Sequence, residues 1–459
     1  MASFKFVDLF AGIGGFHATL GAVNGGSLAM ASEIDSPAAA IYAQNWDQKP
    51  EGDIIPLTES TMQVPPHEVL SAGFPCQPFS KSGFQRGINE ARGTLFFNIL
   101  RILQERKPPV VMLENVRNLA GPRHRETWST IVRLMQDAGY KVATVPTVFS
   151  PHFLPPELGG RPQIRDRVFI TATYVGDADR ARALSTHQPL VPRRPVGSWD
   201  PDRWDIFRTP IGPDQRPLVQ EDEEVERLHE YVLSETDSYV IDVWADLVER
   251  LRRKGVERLP GFPIWADHFT HLDALEVDED TPDWKANFLR KNAAFYTEHR
   301  QVIDRWLRDH RNLQDLPASR RKFEWQAQTA HSLRETVMHL RPSGLRAKRP
   351  TYLPALVAIT QTSILGARGR RISPREAARL QGLPDWFGFE GQRDALTYKQ
   401  LGNGVNVGAA NFILRTHVEN DAALISESNS SIVHAILNGP VNPDMALTNP
   451  PGRVTAQAA

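Results

Sequence analysis

Through about residue 175, short apolar runs alternate with stretches of helical hydrophobic spacing. Phe4 to Phe10 reads as a strand closed by a glycine-rich turn, followed by a helix through Leu20. Ser27 to Ser32 reads as a second strand ending at Glu33, and Ser36 to Asn45 as a helix. Val69 to Ala72 is a third strand, Leu95 to Glu105 a helix, and Pro109 to Leu113 a strand ending at Glu114. Thr127 to Ala138 has an amphipathic helical pattern, while Lys141 to Phe149 and Arg167 to Tyr174 have strand patterns. Strands alternating with helices predict an α/β fold, a doubly wound parallel sheet with helices on both faces.

Beyond residue 180 the pattern changes. Residues 180–215 are rich in proline, arginine and tryptophan and read as an irregular connection. Residues 220–255 are strongly charged and helical, starting with Glu221-Asp222-Glu223-Glu224. Trp244, Trp265, Trp284, Trp306 and Trp325 follow, and core packing is the expectation for them. From Arg341 to Arg379 arginines are many and acids almost absent. That one-signed stretch, interleaved with Tyr352 and small polar residues, supplies a local positive patch. After Val418 the composition turns to Asn, Ser, Pro and Ala, which predicts a flexible tail. The domain expectation is therefore 1–178, then 179–395 as variable insertion and second domain, 396–418 returning to the first domain, and 419–459 as tail.

Composition narrows the function classes. The chain has 459 residues, 53 basic against 54 acidic, and net charge −1. Its length suits two or three domains. A basic overall charge, common in nucleic-acid binders, is missing, so any such role rests on the local patch. The sole cysteine excludes an internal disulfide and a cysteine-based zinc site, and no metal is expected. No basic-then-apolar leader and no stretch long enough to span a bilayer is visible, so a cytoplasmic protein is expected.

That cysteine, Cys76, sits in Gly73-Phe74-Pro75-Cys76-Gln77-Pro78-Phe79-Ser80. Two prolines stiffen the backbone around the sulfur, and a thiol on a rigid loop is a candidate covalent nucleophile. A free cysteine is otherwise a small buried hydrophobe. Asp8-Leu9-Phe10-Ala11-Gly12-Ile13-Gly14-Gly15 follows the first strand and allows close approach of a ligand to the backbone. It is not the dinucleotide fingerprint, because His17 takes the place of the third glycine. Glu33 ends the second strand, where a carboxylate can accept both ribose hydroxyls, and Asp53 is a candidate contact for an adenine amino group. Asp8, Glu33, the Cys76 loop and Glu114 all fall at the carboxyl edge of the expected sheet, where open α/β sheets bind ligands.

These elements, taken in order, resemble the cytosine-C5 DNA methyltransferases of the bacterial modification type. The resemblance rests on Phe6–Gly15, Glu33, Asp53, Gly73–Ser80, Glu114-Asn115-Val116, Gln163-Ile164-Arg165-Asp166-Arg167, Ser373–Pro384 and Gln400-Leu401-Gly402-Asn403-Gly404-Val405, covering about residues 4–178 and 341–410. It implies a Rossmann-like methyltransferase sheet with a second, smaller target-recognition domain. It implies S-adenosylmethionine as cofactor, double-stranded DNA as partner, a bacterial cytosolic enzyme of a restriction–modification or related defence system, and action as a monomer. Cys76 would then add to C6 of a flipped cytosine, Glu114 and Arg167 would stabilise charge on the ring, and Arg165 would support them. Asp8, Phe10, Gly12, Gly14, Gly15, Glu33, Asp53, Ile54, Pro75, Leu95, Asn403 and Val405 would form the cofactor site. Ser80, Lys81, Ser82 and Arg86 would meet DNA from the loop after the cysteine, and Arg346, Lys348 and Arg368 from the recognition domain.

The chain departs from the family pattern at Ile34, where tryptophan is frequent, and at Gly404, where serine or alanine is common. Two other readings share this core. One is a tRNA cytosine-C5 methyltransferase, which the long variable region disfavours. The other is an idle DNA-binding protein, which the presence of Cys76, Glu114 and Arg167 disfavours.

Overall fold

The computed structural model describes residues 4–23, 25–75, 95–328, 330–356 and 362–450. The chain divides into two compact units: the described residues of Met1–Leu218, Pro354–Ala358 and Pro374–Ala459, and those of Val219–Leu353 and Ile359–Ser373.

The larger unit is built on β1 (Phe4–Leu9), β2 (Gly26–Ser32), β3 (Val69–Gly73), β4 (Val110–Val116), β5 (Tyr140–Val142), β6 (Thr147–Phe149) and β8 (Arg167–Tyr174), with a two-residue strand β7 (Gln163–Ile164) between. The main sheet runs β2-β1-β3-β4-β8-β5, and β6 also pairs with β8. β2, β1, β3 and β4 are parallel neighbours. β8 is antiparallel to both β4 and β5. The expected all-parallel sheet is thus parallel on one side and mixed on the other. The crossover from β4 leaves a gap before β5, and the chain returns after a long excursion to fill it from the opposite direction.

Alternation along β1 divides the core. Val7 and Leu9 pack with α4 (Leu95–Arg106) and α5 (Arg125–Asp137) on one face. Phe4 and Phe6 pack with α1 (Gly15–Gly21) and the helix Val407–Asn420 on the other. Helices α2 (Ser36–Trp46) and α3 (Ile54–Glu59) follow β2. Asp35 caps α2 by accepting from the Ala38 N–H at 3.1 Å, with Pro37 in the first turn.

The expected tail is structured as far as residue 450. Ala422–Asn438 is helical, with a break at Asn429, and buries Ile425, Ile432, Ala435 and Ile436 in the larger unit's core. Serine and asparagine make this stretch look like coil, but four apolar side chains on one side gain enough burial to order it. The boundaries also differ: the larger unit extends to Leu218, includes the described residues of Pro354–Ala358 and resumes at Pro374.

The smaller unit carries the helices Glu235–Arg253 and Asp283–Asp309 and a sheet that includes Lys322–Gln326, Val337–Arg341 and Gly344–Lys348. Trp244, Trp306 and Trp325 are buried in its core, as expected, whereas Trp284 is 61% exposed.

Candidate active site

The carboxyl ends of the parallel strands open into a cavity of about 610 Å³. Its walls include Phe10, Gly12, Gly15, Glu33, Pro75, Leu95, Glu114, Arg167, Asn403 and Val405. Ten of the residues singled out in the sequence therefore meet at one cavity although they come from seven separate segments of chain.

The β1–α1 turn needs unusual backbone angles. Phe10, Gly12 and Gly14 have φ of 55°, 56° and 94°. Gly14 is also packed so closely that a Cβ would lie 2.1 Å from Trp46 Nε1. A Cβ on Gly15 would meet Val405 Cγ1 at 2.7 Å, which explains why the turn and the late Val405 segment require glycine at their junction. Glu33 fixes the turn: its Oε2 accepts from the Gly12 N–H and its Oε1 from the Asp35 N–H, both at 2.7 Å. Each carboxylate oxygen keeps a further lone pair for a ligand.

β3 and β4 pair Gly73 with Glu114, so the residues after Gly73 run beside Asn115. Asn115 Nδ2 donates to the Phe74 carbonyl at 2.9 Å. In the sequence Asn115 stands only as the middle residue of Glu114-Asn115-Val116. The strand register is the signal that gives it a task, holding the backbone that leads to Pro75.

Glu114 is buried, and burial raises its carboxyl pKa against the opposing pull of Arg167 and Arg165. Arg167 Nε stands 2.9 Å from Glu114 Oε1, but among the described residues Oε1 accepts no hydrogen bond, so the Arg167 N–H is not aimed along that line. Arg165 is 1% exposed and does not form part of the cavity wall. Its Nη2 donates to the carbonyls of Gly402, at 2.8 Å, and Gly404, at 2.5 Å. It ties the Gly402–Gly404 turn to the link between β7 and β8 and leaves Arg167 as the guanidinium at the cavity.

Other expected residues lie outside the cavity wall. Asp8 is fully buried beneath the turn, its Oδ1 accepting from the Ser71 hydroxyl at 3.1 Å. Asp53 caps α3 through the Ile55 N–H at 3.0 Å, and Ile54 is core. Ile34, Asp35, Gln400 and Lys399 line the cavity without having been singled out as contacts, and Ile34 is 70% exposed. Cys76, Ser80, Lys81, Ser82 and Arg86 lie outside the described residues.

The recognition-domain candidates are engaged within the smaller unit. Arg346 pairs with Glu324 at 2.7 Å, Arg368 with Glu221 at 2.6 Å, and Lys348 lies over the Tyr352 ring at 5.1 Å.

Fold and cavity together are those of a Rossmann-like α/β methyltransferase. The model of the C-5 cytosine-specific DNA methylase family matches residues 4–419. The chain belongs to that family. It is 44% identical to the Type II methyltransferase M.AluI of Cellulosimicrobium cellulans, over 95% of this chain and 96% of that protein. It is 28% identical to M.BanI of Aneurinibacillus aneurinilyticus over 91% and 96% of the two chains. Identity to M.HhaI of Haemophilus parahaemolyticus is 40%, over 37% of this chain and 49% of that one.

Proposed function

We propose that this protein methylates C5 of a flipped cytosine in double-stranded DNA, using S-adenosylmethionine, as the modification enzyme of a Type II restriction–modification system. The observation that carries the reading is a buried acid with a raised pKa, Glu114, beside Arg167 on the wall of the cavity that also holds the glycine turn and Glu33.

The cavity's chemistry fits the cofactor. Glu33 offers lone pairs for the ribose hydroxyls, Ile34 and Phe10 an apolar surface for the base, and the Gly12 turn a close backbone approach. S-adenosylmethionine, when bound, supplies an electrophilic methyl carbon. The remaining chemistry belongs to the chain. The Cys76 thiolate adds to C6 of cytosine, forming a C–S bond and pushing electron density onto the ring. Glu114, held protonated by burial, gives its proton to N3, and Arg167 stabilises charge at O2. C5 then acts as nucleophile and takes the methyl group. Loss of the C5 proton to a base expels the thiolate and restores the aromatic ring, and N3 returns its proton to Glu114.

Bisulfite sequencing of plasmid DNA from cells expressing the chain tests this directly. Protected cytosines at a fixed short sequence are expected, and their loss in Cys76→Ser. A 5-fluorocytosine duplex with methyl donor should trap a protein–DNA adduct that Cys76→Ser cannot form. An active chain that gives no adduct would overturn the covalent route.

A further inference from the structure

The smaller unit's sheet has one apolar face, where Phe323, Trp325, Met338, Leu340, Leu345 and Ala347 enter its core. Side chains alternate across a strand. Lys322, Glu324, His339, Arg341, Arg346 and Lys348 therefore fall on the other face. Register places Glu324 beside Arg346 and Arg346 beside His339. Glu324, the acid on these three strands, is already occupied. Arg346 sets both Nε and Nη2 2.7 Å from its Oε2, and Gln326 bonds its Oε1. His339 is neutral in the fold, with burial and the surrounding arginines and Lys348 lowering its pKa to about 3.

Arg341 is what remains. Among the described residues its guanidinium has no hydrogen-bond or ion-pair partner, although the side chain is half-buried and stands near Arg346. Its neighbour across the ladder is Gly344, which has no side chain to fill the space. Gly344 has φ of 130°, and a Cβ there would lie 2.6 Å from the Lys322 carbonyl oxygen, so close packing against Lys322 excludes any side chain opposite Arg341. A recessed guanidinium without an acceptor, next to a like charge, carries a desolvation cost that an incoming acceptor would offset. Arginine's fork favours a planar pair of acceptors, either phosphate oxygens or the O6 and N7 of guanine.

We propose that Arg341 is a direct contact to the substrate duplex. The inference rests on the DNA-methylating function proposed above. It predicts that Arg341→Ala raises KM for duplex DNA roughly ten- to hundredfold while leaving the S-adenosylmethionine Kd and the Tm near wild type. Arg341→Gln, which keeps most of the side chain's length, should behave likewise if alanine loosens the sheet. If the acceptor is a guanine edge, Arg341→Lys also fails and bisulfite maps relax at one position of the site. If it is phosphate, lysine restores much of the affinity and alanine weakens all sites alike, lowering the salt slope by about one. Unchanged KM and unchanged maps in both neutral variants would overturn the proposal. A wild-type chain that methylates no duplex would instead overturn the functional reading on which it stands.

Discussion

Glu114 occupies its position because of one strand register and one burial environment. Pairing with Gly73 brings it to the sheet edge, and burial raises its pKa more than Arg167 and Arg165 lower it. If its proton is used at cytosine N3, kcat should fall as pH rises through that raised pKa, because the ionised form has nothing to donate. Glu114→Gln removes the titration but keeps an N–H donor. It should lose about 10²-fold in kcat and the alkaline limb of the pH profile together. An unaltered alkaline limb in that variant would assign the limb to another group. The residue scale is also where the sequence misleads about charge. The run from Arg341 to Arg379 looks unopposed along the chain, but Arg368, Arg370 and Arg371 find Glu221, Asp222 and Asp237, more than a hundred residues earlier. Ion pairs follow spatial proximity, so counting charges in a window overstates the patch. The same limit explains Arg165 and Arg167. Their spacing and family match are visible in the sequence. Which guanidinium reaches the cavity and which holds the Gly402–Gly404 turn depends on the direction each side chain leaves the backbone on entry to β8.

At the scale of elements, strong periodicity was readable. The strand expected over Arg167 to Tyr174 has those bounds, and the helix expected from Leu95 ends one residue later than read, at Arg106. Lys141 to Phe149, read as one strand, divides into β5 and β6, both paired with β8. The C-terminal helices were the larger miss, because what orders them lies elsewhere in the chain. Between the helices Val407–Asn420 and Ala422–Asn438, the Asp421 side chain is buried against the sheet. Its Oδ2 accepts from the Thr173 hydroxyl at 2.7 Å, its Oδ1 pairs with Lys141, and His417 Nε2 lies 3.0 Å from the same hydroxyl. Asp421→Ala would leave Lys141 and Thr173 without their acceptor. It should cost about 3–5 kcal/mol, read as a lower urea midpoint with an unchanged m-value. Asp421→Asn keeps the shape and an acceptor oxygen but loses the charge, so its cost should be smaller. Equal midpoints for alanine and wild type would show that apolar packing of Ile425, Ile432 and Ile436 is sufficient to dock these helices.

Across the whole molecule, buried ionisable groups of both kinds shape stability against pH. Burial lowers the pKa of His17 to about 3, His67 to about 4 and His339 to about 3, and lowers that of His417. An unfolded histidine gains its proton near pH 6.5, so unfolding takes up protons below that value and stability falls as pH drops toward 4. Asp8 opposes this trend. Burial raises its pKa to about 7, with its Oδ2 lacking a hydrogen-bond partner among the described residues. The folded protein therefore holds a proton that the unfolded chain releases near pH 4, and Asp8 loses its stabilising share as pH rises from there through about 7. The histidines outnumber it on the acid side, which places the stability maximum near neutrality. Asp8→Asn separates the two contributions because the amide mimics the protonated carboxyl. The variant should gain on wild type between pH 5 and pH 8 by about 2–3 kcal/mol, with a steeper loss on the acid side. Calorimetric Tm values for both proteins across that range decide the matter. A constant difference between them would mean that Asp8 is ionised in the folded protein across this range, as it is in the unfolded chain.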